Sequence, residues 1–198
     1  MEFFGIDLIV FIQTIGYVGL FAIIFAESGL LVGFFFPGDS LLFTAGFLAS
    51  QGAFNIVVLA VGCFVAAVIG DSVGYAFGRR VGYKIFARED SRFFKKRYLQ
   101  DAEKFYEIHG KKTIILARFV PIVRTFAPIL AGVGKMHYPT FLAYNLIGGC
   151  IWAVGMTVGG FFLGRLIPNV DRYLLPIVLV IIVVSMLPAF AHYFKRKK

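Results

Sequence analysis

Charged residues are scarce in this sequence, and their scarcity excludes an ordinary soluble domain. Only 16% of the 198 residues are charged, whereas 59% are hydrophobic and 17% aromatic, and the mean hydropathy is +0.83. Soluble domains contain about 25% charged residues on average. Several apolar runs approach or exceed the roughly 20 residues needed to cross a hydrocarbon core. The sequence therefore predicts an all-α, polytopic membrane protein with a single membrane domain over residues 1–198.

Cysteine and histidine are also rare, which argues against disulfides, metal sites and catalysis. Cys63 and Cys150 lie in apolar runs without a CxxC pattern, so both are predicted to be packing residues. The three histidines fall at predicted interfaces, and neither Ser40 nor Ser72 has a plausible histidine partner. We expect no enzymatic activity, no cofactor and no metal. The N-terminus lacks a basic region, so we expect no cleavable signal peptide.

Acidic residues are outnumbered by basic ones, and the excess is concentrated in two segments. The chain has 20 Lys and Arg against 11 Asp and Glu, a net charge of +9. A central segment from Arg79 to Lys112 and the tail from Lys195 to Lys198 hold most of the basic residues. Such loops stay in the cytoplasm, so the excess indicates topology and contact with anionic lipid head groups, not nucleic-acid binding. The aromatic residues within 83–111 favour an interfacial amphipathic helix, with a soluble helical linker as the alternative.

Proline and glycine divide the apolar runs into full spans and shorter helices. The first run, from Leu8, contains a turn signature at Pro37 and Gly38, so residues 30–50 are predicted to form a re-entrant hairpin. Pro121 and Pro128 interrupt residues 113–133, which predicts a second hairpin. Full spans are predicted for the N-terminal run and for residues 56–77, 140–163 and 173–194.

The two halves of the chain share an order of elements, in which a hairpin precedes a span that ends in Gly-aromatic-x-x-Gly-Arg. Gly74–Arg79 matches Gly160–Arg165, and the same offset pairs Gly46 with Gly132. We assign 28–82 to a first inverted repeat, 83–111 to a cytoplasmic basic loop, 112–167 to a second inverted repeat and 173–194 to a C-terminal span. With the basic loop inside, both termini are cytoplasmic and the broken helices meet near the bilayer midplane.

Four charged residues are predicted to lie at membrane depth: Glu27, Asp39, Arg118 and Arg124. A guanidinium there costs about +2.5 to +3.5 kcal/mol, so two arginines indicate a polar cavity, an anionic partner, or both. The arginine fork suits a phosphate. The repeat predicts that Asp39 approaches Arg124 within salt-bridge or one-water reach. The alternative is that the charges form buried salt bridges that only hold the halves together.

These residues occur in motifs that closely resemble the DedA family of bacterial membrane proteins, also called the SNARE-associated or VTT-domain family. The motifs are Glu27-Ser28-Gly29-Leu30, Phe36-Pro37-Gly38-Asp39-Ser40-Leu41-Leu42, Gly70-Asp71 with Gly74-Tyr75, and Arg118-Phe119-x-Pro121-x-x-Arg124-Thr125. The resemblance implies lipid transport driven by the proton motive force across the cytoplasmic membrane, with undecaprenyl phosphate or a phospholipid as the substrate. It also implies that the acid pair and the arginine pair are the functional charges.

The mechanism expected from these residues couples a lipid phosphate to protons. Arg118 and Arg124 would bind the phosphate, while Glu27 or Asp39 would load and release a proton, and Asp71 is a secondary candidate. Rival functions are a phospholipid flippase or scramblase, for example for phosphatidylethanolamine, a small-cation/proton antiporter, and a scaffold for envelope assembly. The sequence leaves open the identity of the lipid, the coupling stoichiometry and direction, and the acid that carries the proton. It also leaves open the oligomeric state and is compatible with a homo-oligomer.

Overall fold

The computed structural model describes residues 2–3, 6–30, 38–82, 113–119 and 121–166. Two strands of two residues, β1 (Glu2–Phe3) and β2 (Ile6–Asp7), pair antiparallel, and the rest of the described chain is helices and short turns. The helices are α1 (Leu8–Gly29), α2 (Gly38–Ser50), α3 (Ile56–Phe77), α4 (Thr113–Ala117), α5 (Pro121–Val133), α6 (Tyr138–Gly149) and α7 (Gly155–Leu166). Five-residue π-helical segments extend α3 over Gly78–Gly82 and join α6 to α7 over Cys150–Val154.

Three of these helical stretches are long and apolar enough to cross a membrane: Ile12–Gly29, Ile56–Val81 and Tyr138–Leu166. The predicted all-α membrane class is therefore confirmed. A continuous apolar stripe is exposed along α3, as lipid contact requires, and consists of Val57, Val61, Val65, Ile69, Val73 and Phe77. Three predictions lie outside the described residues, namely those for Pro37, for the basic loop 83–111 and for the C-terminal span 173–194.

Local sequence sets the ends and breaks of the helices. Gly16 interrupts α1 at a φ of 57°, a conformation that glycine adopts readily. Asn55 caps α3, because its side-chain oxygen accepts from the backbone N–H groups of Val57 and Val58 at 2.9 and 3.2 Å. Helix α1 continues through Gly29, two residues beyond the predicted end near Glu27. Glu27 therefore lies within the last turn of a helix.

Helices α2 and α5 are both 13 residues long. At 1.5 Å per residue each spans about 20 Å, less than the roughly 30 Å of a hydrocarbon core. Helix α5 follows an interruption at Arg118–Phe119 and contains Pro128, which deprives the carbonyl oxygen of Arg124 of its usual helical donor.

Each short helix packs against a membrane-length helical stretch from the other half of the chain. Helix α2 lies against α7, and α5 lies against α3 and its π-helical extension. Glycines permit these contacts, because a Cβ atom at any of them would overlap a backbone carbonyl oxygen: Gly46 at Thr157, Gly160 at Phe43, Gly132 at Tyr75 and Gly78 at Ile129. These four contacts form two equivalent pairs. Adding 86 to the residue number in α2 and subtracting 82 from the residue number in α7 converts each of the first two contacts into one of the last two. The packing of the two halves is thus reciprocal.

The main apolar core lies among α1, α2, α3 and the Cys150–Val154 segment, and Leu20, Phe47 and Leu59 are among its fully buried side chains. Cys63 belongs to this core, as predicted for a packing residue. The same prediction is wrong for Cys150, which is exposed. Both residues lie in apolar helices, and an apolar sequence does not reveal which face of such a helix is turned towards lipid.

Candidate functional site

Five ionisable side chains meet between the two halves of the chain. Glu27 comes from the last turn of α1, Asp39 from the first turn of α2 and Asp71 from α3; Arg118 lies in the turn after α4, and Arg124 in the first half of α5. Glu27, Asp71 and both arginines are buried, and the Asp39 side chain is only 15% exposed. Unpaired charges could not persist at this depth, so the pairing among these groups determines the chemistry of the site.

Arg124 binds two carboxylates at once. Its Nη1 donates to Asp39 Oδ1 at 2.6 Å, and its Nη2 donates to Glu27 Oε1. The predicted approach of Asp39 to Arg124 is therefore confirmed, although 85 residues separate them. Removing a single partner of a buried ion pair costs about 3–5 kcal/mol, because the remaining charge stays buried without compensation. Arg124 consequently fixes the ends of α1 and α2 to α5.

Arg118 has a different set of partners. Its Nη2 donates to Asp71 Oδ2 and to Asn145 Oδ1, and the Asn145 amide donates in turn to the carbonyl oxygen of Val68 at 3.1 Å. Asp71, the secondary candidate, is thus the ion-pair partner of this arginine. The site therefore contains a third carboxylate besides Glu27 and Asp39.

Trp152 connects the two arginines. Its indole N–H donates to Asp39 Oδ1 at 2.6 Å. The guanidinium carbon of Arg124 lies 4.7 Å from the ring centroid, and that of Arg118 lies 5.9 Å from it. Both distances fall within the range of cation–π attraction. Trp152 therefore contacts both cations while it binds one of the acids.

Sequence reasoning missed Asn145 and Trp152. Two signals were available: Asn145 is a carboxamide inside an apolar span, and Trp152 is the only tryptophan in the chain. A buried amide in a membrane helix needs hydrogen-bond partners, so its presence indicates a polar neighbour. Neither signal identifies the partner.

Glycines leave room for the charged side chains. A Cβ atom at Gly38 would overlap the Glu27 carboxylate, and one at Gly148 would lie 2.9 Å from Cδ of Arg118. Of the predicted helix breaks, Gly38 begins α2, Pro121 begins α5, and Pro128 lies within α5. Gly38 thus allows the close approach of α1 and α2 at the acid pair.

Several buried polar atoms of the site have no hydrogen-bond partner among the described residues. They are Oε2 of Glu27, Nε of both Arg118 and Arg124, Oγ of Ser40 and Oγ1 of Thr44. If every acid and base of the site is ionised, three carboxylates face two guanidiniums, leaving one negative charge in excess. The site can therefore accept a proton, and its two Nε–H groups can donate to an additional anion. Within the described ranges, no group of His, Cys, Asp and Glu could hold a metal ion.

Comparison with known proteins shows that the chain is similar to a set of membrane proteins. The VTT domain model matches residues 36–162. Protein DedA of Escherichia coli (strain K12) is 48% identical over 184 residues, covering 92% of this chain and 84% of that protein. An uncharacterized membrane protein of Mycobacterium leprae is 50% identical over 167 residues, covering 84% of this chain and 74% of that protein. No solved structure matches the chain.

Proposed function

Because this chain belongs to the VTT-domain family of membrane proteins, we propose that it transports a lipid phosphate across the bacterial cytoplasmic membrane, driven by the proton motive force. The substrate that we propose is undecaprenyl phosphate. Transport of this kind needs no covalent step, so the proposal includes no enzymatic activity. In the proposed topology both termini of the chain lie in the cytoplasm. The observation that carries the proposal is that two carboxylates share the buried guanidinium of Arg124.

The chemistry of the arginines supports a phosphate as the ligand. A guanidinium binds phosphate oxygens through parallel, charge-assisted N–H···O bonds, and the Nε–H of each arginine is still available for such a bond. A lipid phosphate would compete with Glu27 and Asp39 for Arg124. A small cation in the same place would have to compete with two guanidiniums that already bind all three carboxylates, which weighs against a cation/proton antiporter.

The balance of charge supports coupling to protons. The site has one carboxylate more than it has guanidiniums. A phosphate monoester brings a further charge of about −1.5 to −2 at pH 7. Since excess negative charge is costly in a low-dielectric site, the acids displaced from Arg124 would take up protons as the phosphate binds. Release of the lipid would then return the acids to Arg124 and the protons to solution.

The architecture that we propose for transport is an inverted repeat of re-entrant hairpins. Two features support it: α2 and α5 are each too short to cross a bilayer, and the glycine contacts of the two halves are reciprocal. In this arrangement the hairpins open to opposite sides of the membrane and share one central site. The lipid tail would remain in the bilayer while the head group passes through the site.

Transport measured in vesicles tests the proposal. Protein reconstituted with labelled undecaprenyl phosphate should translocate it faster under a pH gradient. Arg124→Lys should preserve folding and lose most transport, because an ammonium group lacks the fork that binds two acids and a phosphate. Arg165→Lys is the matched control, since Arg165 is exposed and lies over the Phe161 ring at the end of α7. Full transport by Arg124→Lys would refute the role given to this guanidinium.

The identity of the lipid is tested in the same vesicles. Labelled phosphatidylethanolamine should move more slowly than undecaprenyl phosphate, because a zwitterionic diester presents fewer charged oxygens to the arginines. Equal rates would make the protein a general phospholipid flippase. Sodium-dependent proton exchange without movement of either lipid would favour the antiporter.

A further inference from the structure

A cavity with polar and apolar walls lies near the C-terminal end of α3, apart from the buried charges. Its volume is about 530 Å³, and it is lined by Ser72, Tyr75, Ala76, Arg79, Arg80 and Tyr138. It therefore combines two guanidiniums and two tyrosines. The cavity lies at the end of a helical stretch that is long and apolar enough to span a bilayer, so its depth corresponds to lipid head groups.

One wall of the cavity is held in place by a stack of aromatic rings. Tyr75 stacks on Phe141 at 4.7 Å between centroids, and its hydroxyl donates to the carbonyl oxygen of Met136. The same hydroxyl oxygen accepts from Arg79 Nη1 at 3.1 Å. This hydrogen bond holds the guanidinium of the exposed Arg79 along the cavity wall. The arginine side chain therefore loses less conformational entropy when a ligand binds.

The electrostatics of the cavity favour an anion. No carboxylate among the described residues forms an ion pair with Arg79 or Arg80, whereas the two buried arginines are both paired with acids. Most of the remaining wall is carbon, contributed by Ala76 and the tyrosine rings. A ligand that suits both parts has a negatively charged phosphate next to apolar chains.

We propose that this cavity binds the head group of an anionic glycerophospholipid of the surrounding leaflet. Arg79 and Arg80 bind its phosphate, and the glycerol and the first acyl carbons lie against Ala76 and Tyr138. This site is separate from the transport site and does not depend on which lipid is carried. A simpler explanation is that the two arginines only complement the helix dipole and the membrane surface. Arg165 has both of these properties at the end of α7 but does not line the cavity, so it separates the two explanations.

Native mass spectrometry of the full chain, released from detergent with added phosphatidylglycerol, tests the proposal. The paired substitution Arg79→Gln with Arg80→Gln should weaken binding by about tenfold or more, because it removes both guanidiniums that form charge-assisted hydrogen bonds to the phosphate. Arg165→Gln should leave the affinity unchanged, and phosphatidylcholine should bind equally weakly to every variant. An equal loss in Arg165→Gln would overturn the site in favour of diffuse attraction.

A second variant blocks the cavity without changing its charge. Ala76→Trp should place an indole ring in the space of the glycerol and first acyl carbons and weaken phosphatidylglycerol binding while both arginines remain. Unchanged binding by this variant would overturn the proposal, as would displacement of the lipid by millimolar inorganic phosphate, which would indicate a site for the free anion. Because neither substitution touches Arg124, lipid-phosphate transport measured on the same variants shows whether the transport proposal fails together with this one or independently of it.

Discussion

Among single residues, Trp152 has the most unexpected set of contacts. It donates to Asp39 and presents its ring to both buried guanidiniums, so it joins the ion pairs of Arg124 to the ion pair of Arg118. Any movement of Asp39 away from Arg124 would also disturb the indole. Trp152 therefore offers a physical link between the state of the acid and the position of Arg118.

We expect Trp152→Phe to destabilise the protein by about 1.5–3 kcal/mol, the range for a hydrogen bond to a charged group. Phenylalanine preserves a ring beside Arg124 but removes the donor to Asp39. Chemical unfolding in detergent should measure the loss. In an Asp39→Asn background the same substitution should cost less, because the acceptor has lost its charge. An identical cost in both backgrounds would contradict the importance of this bond.

The two acids that share Arg124 give a second prediction at this scale. Asp39→Asn and Glu27→Gln should each abolish the response of transport to a pH gradient, because an amide has nearly the shape of a protonated acid but cannot exchange the proton. At least one variant should still bind the lipid. Flux under imposed gradients, together with lipid binding on the same samples, measures both effects. Normal responses in both variants would assign coupling to Asp71 or to a histidine.

At the scale of elements, the short helices depend on glycine for their position. Helix α2 approaches α7, and α5 approaches α3, most closely where a missing Cβ lets backbone meet backbone. Such contacts fix the depth at which Asp39 and Arg124 enter the site. Small residues are the usual means of close helix approach in membranes, where van der Waals packing replaces the hydrophobic effect.

We expect Gly46→Ala to lower the thermal stability of the protein, since its methyl group would overlap the carbonyl oxygen of Thr157. Gly132→Ala should have a similar effect, because it makes the reciprocal contact with Tyr75. Gly155→Ala is the matched control. Nothing lies within 4 Å of its added Cβ, so it should be neutral or slightly stabilising in a helix. Equal melting temperatures for all three variants would contradict the packing account.

At the scale of the whole molecule, long apolar runs predicted the membrane class, and the repeat of the two halves predicted the meeting of Asp39 with Arg124. The partners of Arg118 were not predictable in the same way. Asp71 and Asn145 face Arg118 because of the way in which α3 and α6 are rotated about their axes. The sequence does not reveal this rotation, because helices that are apolar on all sides carry no periodic signal. The repeat offset of 86 holds for the glycine contacts of α2 and α5, but those of α3 and α7 differ by 82, because Gly132 and Thr157 are 25 positions apart whereas Gly46 and Tyr75 are 29 apart. The sequence match of Gly74–Arg79 with Gly160–Arg165 is therefore displaced by four residues from the packing.

The central claim is that a lipid phosphate and the carboxylates compete for the same arginines, and proton uptake on binding tests it most directly. Undecaprenyl phosphate added to purified protein in weakly buffered detergent between about pH 7.5 and 8.5 should remove protons from solution. The double variant Glu27→Gln with Asp39→Asn should bind without this uptake and so correct for titration of the lipid itself. Equal proton uptake by the wild type and the double variant would contradict the claim.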